Sequence, residues 1–448
     1  MHAFKQDLLQ GEGRAMISRR NRAVIGSIAG NALEWYDFMV FSYLVPVISA
    51  VFFGGAGQRA VLFTTILFGM GFLTRPLGGV VLGLFADRHG TGSAMVLGMS
   101  VMAVSMLLIA CAPGWHTAGL VGAGIVVVAR LLQGFSAGAE FATSTSFLIE
   151  EAPPGRRGFY GSWQMVGQAA AQILGSGVGF MLATALSPEM LVAWGWRLPF
   201  AFGLVILPAI LVLRRNGQDT EPRPARDTLQ GSAARFLRDL RRQKGRALSV
   251  AGLVGGTSAT LYILYGYNIT FATRTLHLPI RMVFFITMAA AVVMVPFILL
   301  AGCLGDRFGG RRVLFVSLIG LLIAIIPLSA FLVAGPSVGR LLIMQVGLAV
   351  FSGLFLGSYS TVVTEVFEPG SRTTVLATVH NMTVMLVGGT SQTIVTWLLA
   401  VTGSAMASGL YVAMAVLGAA LGAGWLAVER RPARRMALSG AEPVPVHV

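Results

Sequence analysis

The chain has 448 residues, 55% of them hydrophobic and only 11% charged, with a mean hydropathy of +0.76. That balance excludes an ordinary soluble domain and points to a polytopic membrane protein. The formal charge of +15 would suit a nucleic-acid partner, but ten of the 33 Lys and Arg crowd into the stretch 214–246 and five precede the first apolar run, a distribution that argues against one.

Twelve apolar runs reach the length of a membrane helix, about 20 residues. They lie near 23–53, 60–86, 93–112, 117–149, 158–187, 195–213, 247–272, 280–304, 312–334, 339–367, 373–402 and 404–428. The runs are continuous rather than alternating, so helices are predicted and not barrel strands. With both termini in the cytoplasm, 26 of the 33 basic residues fall in cytoplasmic segments and five outside, at Arg59, Arg197, Arg274, Arg281 and Arg340. That bias sets the predicted orientation.

The first twenty residues are polar and lack the apolar core of a cleavable signal, so the first span is expected to direct insertion itself. Within that span, "GNALEWYDFMVFSYLVPVIS" places Glu34 and Asp37 three residues apart, on one helix face. A rise of about 1.5 Å per residue puts them roughly 17 to 21 Å deep, near the midplane. A bare carboxylate there costs at least about 2.5 kcal/mol, so both are expected to face a partner or a water-filled cavity. An acid pulled one way by burial and the other by a nearby cation is suited to taking up and releasing a proton near neutral pH. Glu34 and Asp37 are therefore candidate proton carriers.

The second span offers a cation at similar depth: Arg75, followed by Pro76, stands about 18 Å of helix from Asp87. It reads either as a ligand or as a structural partner of Glu34 or Asp37. The fourth span offers another, Arg130, and on a wheel of about 100° per residue Arg130, Gln133, Ala137, Glu140 and Ser144 share one stripe. Glu140 joins the candidate proton carriers. "GFSAG" at 134–138 matches a serine-nucleophile pattern, but that chemistry needs a strand and a sharp turn, and here the pattern lies inside an apolar helix. Its glycines are expected to serve close helix packing instead. With no zinc or phosphate-loop pattern in the chain, enzymatic and ATP-driven readings have no support.

On the fifth span Gln164, Gln168 and Gln172 form a polar stripe, read either as ligands or as interhelical glue. The stretch 215–246 is a basic connector, expected to be solvated and to touch anionic lipid headgroups. Tyr262, Tyr265 and Asn268 on the seventh span, with His380, Asn381 and Ser391 on the eleventh, are expected to reach the same cavity from the other side. His380 is a lone histidine on an apolar helix, a pattern that also suits packing. Cys111 and Cys303 fall near opposite membrane faces, so no disulfide, redox or metal role is expected of them.

The chain also repeats itself. "GLFADRHG" at 83–90 returns as "GCLGDRFG" at 302–309, and "EEAPPGRR" at 150–157 returns as "EVFEPGSR" at 365–372, offsets of 219 and 215 residues. These predict an all-α integral membrane protein of twelve transmembrane helices in two pseudo-symmetric six-helix bundles, 1–214 and 247–448, joined by the connector 215–246.

These motifs carry a resemblance. "GLFADRHG" and "GCLGDRFGGRR" resemble the loop between the second and third helices of each half in the major facilitator superfamily, and "RLLQGFSAG", beginning at Arg130, resembles its fourth-helix motif. More narrowly, "GNALEWYDF", "FLTRPLGGVVLGLFADRHG", "RLLQGFSAGAE", "PPGRRGFYGSWQ" and "WGWRLPF" together resemble the metabolite:proton symporter family over nearly the whole chain. "GYNITFATRTLHL" and "GFYGSWQ" are most similar to its citrate and tricarballylate carriers. The first loop copy departs from the pattern, with Thr91, Gly92 and Ser93 in place of basic residues, whereas the second keeps Arg311 and Arg312.

The resemblance implies a secondary active transporter of a bacterial inner membrane, working by alternating access as a monomer, with both termini cytoplasmic. It would import a small organic acid, citrate or a related carboxylate, with protons or sodium, and needs no cofactor or metal. Arg75, Arg130, Gln164, Gln168, Tyr265, Asn268, His380 and Asn381 are then the expected substrate contacts, and Glu34, Asp37 and Glu140 the expected proton carriers. Near the cytoplasmic surface, Asp87 and Arg88 with Glu150, Glu151 and Arg157, and Asp306 and Arg307 with Glu365 and Arg372, are expected to act as gating latches. The same charges suit a zwitterionic osmolyte such as proline or betaine, although the tail "RRPARRMALSGAEPVPVHV" lacks the coiled-coil heptads common among osmolyte carriers.

Overall fold

The computed structural model describes residues 24–55, 57–138, 140–204, 208, 238, 240–368 and 372–439, and for Asp87, Glu140 and Arg372 the backbone alone. The amino-terminal 23 residues and most of the connector thus lie outside the described residues. Among those described, ten helices are long and apolar enough to cross a bilayer, and a bent pair supplies an eleventh span. The sixth predicted span, 195–213, is described through residue 204 and at 208; a 3-10 turn over Gly195–Arg197 passes into helix.

The first span, Val24–Tyr43, bends by 64° into Val45–Phe53. Pro46 sits at the start of the second segment, where it can donate no amide hydrogen to continue the ladder. The second span is Gln58–Ala86, the third Ser93–Cys111, the fourth Leu120–Ala137 followed by Glu140–Glu150, and the fifth Arg157–Ala185. Beyond the connector come the seventh, Lys244–Thr275, the eighth, Ile280–Phe308, the ninth, Gly310–Val333, and the tenth, Val338–Thr364. Thr374–Thr402 and Ala407–Glu429 are the eleventh and twelfth.

The internal repeat has a backbone counterpart. The duplicated loop motif ends in each half on a glycine of positive φ, 86° at Gly90 and 94° at Gly309, a conformation that costs a side-chain-bearing residue strain. Apolar side chains such as Leu77, Val80, Val316, Ile323 and Met414 point outward, while serines, threonines and glutamines are buried between helices. This inside-out pattern is what a lipid solvent selects, because polar groups must find partners within the bundle.

The two halves meet where the second span packs on the eleventh and the fifth on the eighth. Missing side chains allow the approach: a methyl on Gly69 would strike the carbonyl of Gly389, and one on Gly158 would lie 2.6 Å from the carbonyl oxygen of Gly302. Gly134 and Gly138 press in the same way on the carbonyls of Gly71 and Arg75, so "GFSAG" serves helix packing as expected. Among the described residues, two spans widen into π turns, the seventh over Thr260–Tyr267 and Phe271–Thr275 and the eleventh over Val384–Gly388. Such turns recur at functional sites.

Candidate functional site

The buried face of the fourth span carries Val126, Ala129, Arg130, Gln133, Gly134 and Ala137, so its stripe directs one cation into the protein. Arg130 and Gln133 are completely enclosed, as is Asp37 on the first span. Arg130 donates to the side-chain oxygen of Gln133 at 2.8 Å and to the carbonyl of Phe68 at 2.9 Å. Gln133 in turn donates through Nε2 to Asp37 Oδ2. Asp37 therefore reaches Arg130 through an intervening amide, and its second oxygen, like Arg130 Nε, has no partner among the described residues. The rings of Phe38, Phe41 and Phe68 surround the Arg130 guanidinium with centroids 4.5 to 5.3 Å away.

Arg75 differs from this. It is only 4% exposed, yet among the described residues it makes no hydrogen bond or ion pair. Its guanidinium lies over the rings of Phe38 and Phe72, at 4.5 and 4.8 Å. Cation–π contacts of this kind contribute on the order of 0.5 to 2 kcal/mol, well below the several kcal/mol that removing a cation from water costs. The helix break at Thr74, which precedes Arg75 and Pro76, sets the side chain at the start of a new segment. The structural alternative, in which Arg75 is held by Glu34 or Asp37, is not what is seen.

Glu34 is buried on the same span as Asp37, and Tyr262 interacts electrostatically with Glu34, Arg75 and Arg130. Tyr262 also stacks on Trp35, centroids 5.7 Å apart and planes 9° apart, joining the halves at the cluster. Phe68 and Phe72 meet its ring edge-on. His380 is buried within electrostatic reach of Arg75. Glu34, Asp37, Arg75, Arg130 and His380 thus share one neighbourhood.

Other expected contacts are placed elsewhere. Tyr265 is turned toward Ser352 of the tenth span, and Asn268 donates to Thr287 Oγ1 of the eighth at 3.3 Å. Asn268 also borders a small cavity inside the carboxy-terminal half, lined in part by Gln345 and Ser329. The π turn explains the difference: a wheel drawn at α-helical pitch puts Tyr262 and Tyr265 close together, and the wider turn rotates them apart. Asn381 donates to the carbonyl of Gly138 at 2.7 Å, so it clasps the eleventh span to the fourth. Gln164 accepts from Ser144 at 3.0 Å, and Ser144 pairs with Ser27 at 2.8 Å. Beside this chain, Gln164 Nε2, Gln168 Oε1 and both polar atoms of Gln172 and Asn31 are buried without partners among the described residues. They form an amide-lined seam between the first and fifth spans. The side chain of Glu140 lies outside the described residues.

Two layers of contact enclose the cluster. On the connector side, Asp306 of the eighth span accepts from the backbone amides of Gly158 at 2.6 Å and Phe159 at 2.9 Å. Asp306, expected to meet Arg372 in its own half, reaches across to the amino end of the fifth span, where unpaired amides favour an anion. Thr361 adds a hydrogen bond to the carbonyl of Arg157. Arg307 lies over the ring of Phe308, and Arg88, Glu150, Arg157 and Glu365 are exposed; the side chains of Asp87 and Arg372 lie outside the described residues. Ion pairs that the sequence did not suggest tie the connector's end to the same half: Arg246 with Glu429 at 3.1 Å, and Arg242 and Arg246 with Glu368 at 3.4 and 3.5 Å. On the opposite side, Gln392 donates to Ser42 Oγ at 2.6 Å and to the carbonyl of Tyr262 at 3.2 Å. Arg274 donates to the carbonyl of Pro46 at 2.9 Å.

Known proteins are similar to this chain. A family profile described as "Sugar (and other) transporter" matches residues 23–214. The citrate-proton symporter of Salmonella typhi is 32% identical over 91% of this chain and 96% of its own length. The proline/betaine transporter of Salmonella typhimurium is 30% identical over 94% of this chain and 85% of its own. Among solved structures, the crystal structure of D-xylose-proton symporter superposes with a TM-score of 0.71 at 18% identity, covering 90% of this chain and 96% of that one.

Proposed function

From the premise that the chain belongs to the metabolite:proton symporter family of the major facilitator superfamily, we propose that it imports a small organic anion, citrate or a related di- or tricarboxylate, together with protons. The carrying observation is Arg75, a buried guanidinium with no anionic partner among the described residues. A desolvated cation of this kind is stable only if an anion completes it, and a carboxylate matches the guanidinium fork at two points.

The charges of the cluster support coupling. Two arginines face two acids, Glu34 and Asp37, so a proton taken up by either acid leaves one positive charge uncompensated. One substrate carboxylate then cancels it. An inside-negative potential opposes the import of each net negative charge by about 2.3 kcal/mol per 100 mV, so a polyanion escapes that penalty only if accompanying cations at least match its charge. Substrate and Asp37 compete for Arg130 across the Gln133 bridge, which ties proton uptake to solute binding. Opening then alternates between the Asp306 clamp and the Arg274 and Gln392 contacts. In this reading the connector and both termini are cytoplasmic, the chain works as a monomer in a bacterial inner membrane, and 1–214 and 247–448 move as the two bodies.

A second reading, uptake of proline or betaine, draws on the proline/betaine relatives and on the Trp35–Tyr262 stack, whose aromatic faces suit a quaternary ammonium. Against it, the rings of Phe38, Phe41, Phe68 and Phe72 already carry arginines. Counterflow in proteoliposomes with a panel of acids and osmolytes, varying pH and sodium separately, decides between them. Exchange of citrate-like acids driven by pH supports the first reading, and exchange confined to proline or betaine replaces it.

A further inference from the structure

On the face away from the connector, a cavity of about 280 Å³ opens between the second, seventh and eleventh spans. Its walls include Gln58, Tyr267, Thr270, Arg274, His277 and Thr396. The lining sets a partly buried arginine among hydroxyls. Thr270 is 1% exposed and its Oγ1 has no partner among the described residues. Tyr267 and Thr396 stand as a hydroxyl pair at 2.8 Å, and Thr273 beside them is bonded to the carbonyl of Ile269. The seventh span is a π turn on both sides of Asn268–Thr270, which is how Tyr267, Thr270 and Arg274 come to border one space.

Arg274 has a second engagement. Its NH2 group donates to the carbonyl of Pro46, across the boundary between the halves. That carbonyl belongs to the segment that follows the 64° bend of the first span. A neutral carbonyl is a weaker acceptor for a guanidinium than a carboxylate, which binds roughly twice as strongly and at two points.

We infer that this cavity is a vestibular subsite for a carboxylate, in which Arg274 and Thr270 hold the solute before it reaches Arg75 and Arg130, and in which the arriving carboxylate displaces Pro46 from Arg274 and so loosens the outer contact between the halves. The inference rests on the reading that the chain carries carboxylate solutes. It adds a second site about which that reading is silent, and it makes the outer latch responsive to the solute itself.

The test is thiol protection from outside. In protein carrying Cys111→Ser, Cys303→Ser and His277→Cys, reconstituted in liposomes, a membrane-impermeant maleimide reports on the vestibule. The central site is disabled by Arg75→Gln together with Arg130→Gln, so protection cannot arise from either arginine there. Citrate is expected to slow labelling about tenfold relative to potassium chloride of equal ionic strength, the scale of one charge-assisted hydrogen bond. Arg274→Gln is expected to remove the protection and Arg274→Lys to retain part of it. Thr270→Val leaves the Pro46 latch intact and is expected to weaken protection a few-fold, which decides the matter if Arg274→Gln does not fold. Equal labelling with citrate and chloride, or protection unchanged by both Arg274→Gln and Thr270→Val, overturns the subsite. Citrate uptake by the protein without these substitutions is scored separately: protection without uptake sinks the transport reading alone, and uptake without protection sinks the vestibule alone.

Discussion

Gln133 donates its amide to Asp37, so the acid of the first span and the arginine of the fourth share one neutral intermediary. Removing charge at one end while keeping the shape separates binding from coupling. Asp37→Asn can still accept from Gln133, and it no longer exchanges a proton. Exchange of labelled solute across the membrane should persist, while accumulation driven by a pH gradient should fall to the equilibrium level. Uptake and counterflow on the same liposomes check this, and undiminished accumulation would remove Asp37 from the coupling machinery.

The two arginines should respond differently in stability. Arg75→Gln removes an unpaired buried charge, so the unfolding temperature should hold or rise, while the half-saturating concentration rises by about 10- to 100-fold, as for loss of a hydrogen bond to a charged group. Arg130→Gln breaks bonds to Gln133 and Phe68 and strands Asp37, so both transport and unfolding temperature should drop. Arg130→Lys keeps the charge without the fork and should fall between. Thermal unfolding beside counterflow measures both.

Asp306 faces a helix end, so its loss should be felt as a shift in which side is open. An anion at a helix amino terminus contributes about 0.3 to 2 kcal/mol, and Asp306→Asn should move the population toward opening on the connector side by a few-fold. Spin labels on the fifth and eighth spans report the distance. No change in its distribution would assign the clamp to the glycine contact at Gly158 and Gly302 instead.

The π turn in the seventh span makes opposite demands on two tyrosines. Tyr262→Ala removes the stack on Trp35 and the edge contacts with Phe68 and Phe72, and aromatic pairs of this kind are worth about 0.5 to 1.5 kcal/mol each beyond burial. Its half-saturating concentration should rise several-fold. Tyr265→Phe, facing the tenth span, should leave it unchanged. The reverse outcome would restore Tyr265 to the solute path.

The helices were legible in the sequence because they depend on a local regularity, an apolar run of fixed length. Glu34, Arg75 and Arg130 lie around Tyr262, and Asp37 reaches Arg130 through Gln133. Less was legible where a long-range partner or an irregular turn decides the placement. Tyr265 and Asn268 are assigned by their span alone, and the π turns that reorient the seventh span leave no local signal in the sequence. Asn381 looked like a ligand because nothing local shows that Gly138 leaves its carbonyl within reach. Gln133 was visible in its stripe, but its role as a bridge depends on a residue 96 positions away. Asp306 lay in a repeated charged motif that suggested side-chain partners, and its actual acceptor contacts are with main-chain amides 148 and 147 residues distant.

That last contact bears on how often the protein can turn over. A latch between two long side chains must freeze both each time it shuts, and lose that order each time it releases. The amides of Gly158 and Phe159 are already immobilised by the helix they begin, so only one short carboxylate is restrained on closing. Closing and reopening then differ little in conformational entropy, which lets a carrier cycle without holding either state too firmly.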